Sequence, residues 1–190
     1  MSRLGRATIG LYNSYDPVNF REAHRRALAR AGALSLAFDQ NLATFGFPFP
    51  RELSTPGEIS DWVATTTSIG ENGTYLRKLT ASGRFQTFPF PGKGFPPQLG
   101  EIVLTTSRPD EKRTTGVEEV TSLLLGGRSI CLIFGLGPRG VPENIHRIAK
   151  QHLDISGGFK SLETCTAMGA VSAVIAHSVR NGIRQGGRGQ

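Results

Sequence analysis

Gly135, Gly137 and Gly140 stand in the spacing G-x-G-x-x-G directly after the apolar run "SICLIF" (129–134), and Asp154 lies 19 residues beyond Gly135. Glycines in that spacing let backbone N–H groups approach a cofactor closely, and an acid at that distance can accept ribose hydroxyls, which is dinucleotide-binding chemistry. Two features oppose that reading. The motif begins at residue 135 of 190, leaving one short strand and one long helix after it, too little for a dinucleotide half-domain. Pro138 also removes an N–H where a pyrophosphate needs donors. The loop then reads either as a cofactor loop of another kind or as a tight strand-to-helix turn.

A second group with chemical potential is "NFREAHRRALARAG" (19–32), which gathers Asn19, Arg21, Arg25, Arg26 and Arg30. Arginine stays protonated, so Arg25 suits a phosphate clamp better than a base. Glu22 and Arg26 form an i,i+4 pair on a helix, the reading in which these arginines are a solvated face. His24 could accept a proton beside Arg25. The four histidines, His24, His146, His152 and His177, show no metal-ligand spacing, and Cys131 and Cys165 lie in apolar stretches as reduced thiols.

The formal charge of +7 raises the local concentration of polyanions and fits a nucleic-acid partner. At 38% apolar and 19% charged residues the balance is that of one globular domain, and 190 residues suffice for a core. No apolar run approaches the ~20 residues of a membrane span, and "MSRLGRATIG" lacks the apolar centre of a signal peptide. A cytoplasmic protein with no membrane partner is expected.

The pattern of apolar residues supplies the elements that must position these groups. "RATIGLY" (6–12) predicts a buried strand. Residues 15–32 predict a helix, with Asp16 as N-cap, Pro17 in the first turn and Gly32 at its end. "ALSLAF" (33–38) predicts the next strand. "STPGEISDWVA" (54–64) carries a capping box, Thr55 with Glu58, before a short helix. Residues 45–99 are rich in Gly, Pro and Phe and read as an insertion or lid, with "TYLRKLTASGRFQTF" (74–88) as a β-hairpin turning at Ser82-Gly83. Strands at 100–107, 129–134 and 152–155 alternate with helices at 115–127, 142–151 and 160–182, and 183–190 reads as a frayed basic tail. This order predicts an α/β fold whose sheet is mostly parallel with helices on both faces.

Three segments read together resemble the SPOUT superfamily of RNA methyltransferases. Its 2′-O-methyltransferase branch has an Asn, then an Arg six residues on, in its first helix; Asn19 and Arg25 keep that spacing. "FGLGPRGVP" occupies the place of its glycine loop. "DISGGFKSLETCTAMGAV" occupies the place of the loop that opens its last, Ala-rich helix, with Ser161 and Leu162 on the family's S-L. "LTTSRPDEKR" resembles its Thr/Ser-rich turn. The chain is also similar to an uncharacterised archaeal family. The resemblance covers 7–40 and 100–182 and leaves out 45–99. It implies a C-terminal trefoil knot, S-adenosylmethionine as cofactor and tRNA or rRNA as partner. It also implies a homodimer built on the last helix, whose Ala167, Met168, Ala170, Val171, Val174 and Ile175 offer more apolar surface than one sheet face needs. The resemblance assigns Arg25 and Asn19 to catalysis. It assigns Leu104, Thr105, Gly135, Gly137, Gly140, Ile155, Gly157 and Leu162 to the cofactor. The basic residues Arg21, Arg26, Arg30, Arg108 and Arg113, with Arg77, Lys78, Arg84 and Lys93 beside the phenylalanines of the insert, suit single-stranded or looped RNA. The chain departs from the pattern at Gly137, Pro138, Glu163 and Cys165, and these departures favour the alternative of a non-catalytic RNA-binding protein on the same scaffold.

Overall fold

The computed structural model describes residues 3–65, 69–158 and 160–186. Seven strands form one sheet: β1 (Ala7–Tyr12), β2 (Asn41–Phe45), β3 (Phe85–Phe88), β4 (Glu101–Thr105), β5 (Thr114–Thr115), β6 (Ile130–Gly135) and β7 (Gln151–Leu153). They are joined by helices α1 (Glu22–Ala37), α2 (Pro56–Ala64), α3 (Asn72–Ala81), α4 (Val117–Leu125), α5 (Glu143–Ile148) and α6 (Thr164–Gly186). The spatial order is β3-β2-β1-β6-β4-β7-β5, and every pairing is parallel. All strands therefore end at one edge, where loops can gather around a ligand.

Strand residues alternate between two cores, as period-2 geometry requires. Ile9, Leu11, Leu42, Val103, Leu132 and Phe134 pack under α1, α2, α3, α4 and α6. Phe45, Leu104, Cys131 and Ile133 face the other way, toward Ile145 of the short α5, toward Ala149 just after it, and toward Phe95 and Leu99. Helices thus cover both faces unequally. Much of the second face is closed by the irregular crossover 89–100, which carries the chain from β3 at the sheet's margin to β4. Among the described residues no helix is long and apolar enough to cross a membrane.

Several expected boundaries move, each for a local reason. The first helix starts at Glu22, because the Asp16 carboxylate accepts the N–H groups of Val18 and Asn19 (both 2.9 Å) and closes a turn of its own. That helix takes in 33–37, with Phe38 as its C-cap, so 33–38 is not a strand; it ends where Asp39 turns left-handed (φ 53°), and Gln40 donates back to the Ser35 carbonyl at 2.8 Å. Gly32 does not end it. A Cβ there would stand 3.1 Å from the Leu76 Cα, so Gly32 lets α1 and α3 approach. Residues 74–88 are not a hairpin: Arg77 and Lys78 lie on α3, and β3 runs parallel to β2. The capping box stands, with Thr55 Oγ1 accepting from Glu58 N at 3.2 Å and Glu58 accepting from Thr55 N at 2.9 Å. Of the expected tail, 183–186 is the last turn of α6 and 187–190 lies outside the described residues.

Candidate functional site

β4 lies between β6 and β7, so its carboxyl end is flanked by the two loops that carry the glycines. The three strand ends are tied together. Thr105 donates its hydroxyl to the Ile133 carbonyl at 2.7 Å, Thr106 N–H to the Leu153 carbonyl at 3.0 Å, and the Thr164 hydroxyl to the Gly135 carbonyl at 2.8 Å. Thr105, Gly135, Gly137, Gly140, Ile155, Gly157 and Leu162 thereby occupy one edge. Leu104, fully buried, forms its floor, and Leu162 is 41% exposed.

The two inner glycines differ in role. Gly137 has φ 150°, and a Cβ there would stand 2.9 Å from the Ser14 carbonyl oxygen, so this residue packs the loop onto the turn after β1. Gly140 has φ 65°, and its Cβ would meet nothing within 4 Å, so this part of the loop borders open space. Asp154 is committed to its own loop, accepting from the N–H (2.7 Å) and hydroxyl (2.6 Å) of Ser156 and from Gly158 N–H. Burial raises its pKa, and these donors outweigh that, leaving the carboxyl below its ordinary range. An acid so held is not a free ribose ligand. Glu163, where the family has Asn, accepts from the N–H groups of Cys165 (2.9 Å) and Thr166 (3.1 Å) and so fills the electropositive start of α6 with the protein's own carboxylate.

At the start of α1 the side chains are closely interlocked. His24, fully buried, accepts the Arg21 N–H at Nδ1 (3.0 Å), so Nε2 carries the proton and donates to Asn13 Oδ1 (2.9 Å). Asn13 in turn donates to the carbonyls of Asp16 and Gly46, both at 2.8 Å. Phe20, Tyr15 and Phe47 surround the imidazole, and burial holds its pKa below the ordinary value against the pull of Asp16. With both nitrogens engaged, His24 is a structural cap and not the base considered from sequence. Arg25 is 9% exposed. Its Nη1 donates to the carbonyls of Trp62 (2.9 Å) and Val63 (3.0 Å), and its guanidinium lies 4.3 Å from the centroid of the Trp62 ring. Arg25 thus staples α1 to the end of α2.

The other arginines separate. Arg21 pairs with Asp16 (3.0 Å), and Arg26 with Glu22 (3.1 Å). Arg30 lies beside the Cys165 side chain at the start of α6, which raises its pKa, with the Glu163 charge adding to that. Arg108 is exposed on the turn after β4. Arg113 does not join it: Nη1 donates to the carbonyls of Arg147 (2.6 Å), Ala149 (2.8 Å) and His146 (3.2 Å), capping the carboxyl end of α5.

A cleft of about 600 Å³ opens beside the first turn of α1, and no residue of the glycine loops lines it. Asn19, Arg21 and Arg25 form one wall, and Phe49, Arg51 and Trp62 the other. The second wall belongs to the stretch 45–99 that the resemblance leaves out, and sequence reading missed it. Its signal was "FPFPR" (47–51), rigid alternating rings that end in a cation.

The protein-family model described as "Protein of unknown function (DUF531)" matches residues 7–176. The uncharacterized protein MJ0224 of Methanocaldococcus jannaschii is 42% identical over 175 residues, which cover 92% of this chain and 96% of that one. Among solved structures, a probable methylase family protein from Haemophilus influenzae Rd KW20 is similar with TM-score 0.59 and 12% identity over 92% of this chain. The SpoU methyltransferase AviRb from Streptomyces viridochromogenes is similar with TM-score 0.60 and 14% identity over 95% of this chain. The chain spans 66% and 62% of the lengths of those two proteins. It has the fold of the SPOUT methyltransferases and belongs to the family described as protein of unknown function DUF531.

Proposed function

We propose that this protein is an S-adenosylmethionine-dependent RNA methyltransferase. The observation that carries the reading is the carboxyl edge of the sheet, where two glycine loops flank the end of β4 beside the arginine-bearing start of α1. The residues fit the cofactor: Gly140 leaves its side of the loop open, Leu162 exposes an apolar side chain, and Ile155 adds another at the end of β7. Thr105 and Gly135 would hold the cofactor through their backbone, with Gly137 shaping the loop and Gly157 the facing one. When bound, the cofactor supplies an electrophilic methyl group.

The protein's task in such a transfer is mainly alignment, since displacement needs acceptor, methyl and leaving sulfur in line. Asn19 and Arg25 would orient the acceptor nucleotide. Arg21, Arg26, Arg30 and Arg108 would meet RNA phosphates, and Arg113 would act only through α5. Arg25 remains cationic and His24 has both nitrogens engaged, so the acceptor's proton leaves to substrate or solvent. Two copies would meet through α6, where Val174 (40% exposed) and Ile183 (52%) face outward, and the chain's end would be threaded as a knot. A cytoplasmic setting suits this substrate. Glu163 at the start of α6 favours a second reading, a non-catalytic RNA-binding protein on this scaffold.

Calorimetric titration with S-adenosylmethionine and with NADH separates the readings. Heat from S-adenosylmethionine and none from NADH is expected. Binding of neither favours the non-catalytic protein, and NADH binding alone overturns both.

A further inference from the structure

We infer that the cleft between α1 and the segment 47–62 is a docking site for a single unpaired nucleotide of an RNA strand, with no residue of the glycine loops among those that line it. The inference rests on the RNA reading above, and it names the part of the substrate this chain's own additional segment grips.

The cleft has two chemistries on facing walls. Arg21 and Arg51 supply cations. Arg21 is pinned by Asp16, while Arg51 is exposed, and among the described residues no carboxylate pairs with it. Glu22 also lines the cleft, and it is shared between Arg26 (3.1 Å) and Arg25 (4.0 Å). Phe49 and Trp62 supply flat apolar surface. Phe20 holds both in place, at 5.5 Å and 4.7 Å between ring centroids, and Arg25 covers one side of the indole. Pro48 and Pro50 stiffen the strip that carries Phe49, so little order is lost on binding. A cleft of about 600 Å³ suits a small planar ligand with room for its sugar. Rings that stack a base beside arginines that meet its phosphate are the chemistry of unpaired nucleic acid; a duplex keeps its bases stacked inside. A free anion would not need the rings, and an apolar peptide would not need the arginines.

Trp62 is the single tryptophan of the chain, so its fluorescence reports this cleft without a methyl donor. The full-length protein is titrated with a hexauridine oligonucleotide, a blunt RNA duplex and inorganic polyphosphate. Saturable change of Trp62 emission with hexauridine is expected, with little from the duplex or polyphosphate. Arg51→Ala and Phe49→Leu should each weaken the hexauridine response about tenfold, the loss of one stacking or phosphate contact. Arg51 is exposed, so its variant keeps the fold even if the Phe49 variant does not. No response to hexauridine, an equal response to polyphosphate, or full affinity in Arg51→Ala would overturn the inference. If Trp62 responds while no S-adenosylmethionine binds, the docking site stands and the methyltransferase reading falls. If S-adenosylmethionine binds and Trp62 is silent, the reverse holds.

Discussion

Arg25 shows how one residue can answer to two demands. From sequence it is a phosphate clamp at the right distance from Asn19. In the structure its Nη1 also satisfies two carbonyls at the end of α2. Removing the side chain strands both acceptors and an indole face, so Arg25→Ala should cost about 2–3 kcal/mol in urea unfolding, while Arg25→Lys should recover part of that. If Arg25 also orients a nucleotide, the lysine variant should bind RNA nearly normally and turn over far more slowly, because an ammonium lacks the planar fork. Equal losses in binding and turnover would reduce Arg25 to an ordinary phosphate contact. His24 carries a pH consequence. Its folded pKa lies below the 6.5 or so of the unfolded chain, and that of His146 is lowered too, first by burial and then by His152. Below about pH 6.5 the unfolded chain therefore binds more protons, and stability should fall as pH drops from 7.5 to 5.5. His24→Gln should flatten that slope in part, and a flat profile for the unaltered protein would contradict the burial seen here.

At the scale of elements, β1, β4, β6, β7 and the late helices were legible because their signals are local, whereas β2 was not, since the apolar run at 33–38 that suggested it closes α1 instead. Apolar runs such as 129–134 and the Thr55–Glu58 capping box leave few alternatives. The start of α1 was not legible. Asp16 is a plausible N-cap in sequence, but its carboxylate closes a separate turn with Val18 and Asn19, and His24 Nδ1 takes the Arg21 N–H just before Glu22. The segment 74–88 misled because Ser82-Gly83 serves equally well to end a helix or to turn a hairpin, and only pairing with β2 decides between them. The glycine loops were visible as glycine spacing, but spacing could not separate Gly137, which packs on Ser14, from Gly140, which borders open space. That difference is testable. Gly140→Leu should retain a cooperative unfolding transition, at a strain of about 1–2 kcal/mol, and abolish S-adenosylmethionine binding. Gly137→Leu should destabilise the whole protein, because its side chain has no room beside Ser14. If Gly140→Leu binds the cofactor normally, this loop is only a turn. Arg113→Ala should loosen α5 and leave RNA affinity nearly unchanged, in contrast to Arg108→Ala.

For the whole molecule, the charge of +7 sets an expectation that no single residue does. RNA affinity should fall linearly on a log–log plot against salt, by about 0.7 for each phosphate neutralised on a single strand. Affinity insensitive to salt would place the partner elsewhere. If α6 joins two copies, light scattering should give twice the 20.5 kDa of one chain at micromolar concentration. The strand order has a further consequence, in time instead of space. β1 pairs on one side with β2, close in sequence, and on the other with β6, where Ala7 meets Ile130. Until the sixth strand has been synthesised, the first strand keeps an open edge and the sheet lacks its centre. Pairing over so long a separation is slow, and a bare edge invites other chains. During translation the amino-terminal two thirds must wait for the last third, and that interval is when this protein is most exposed to aggregation.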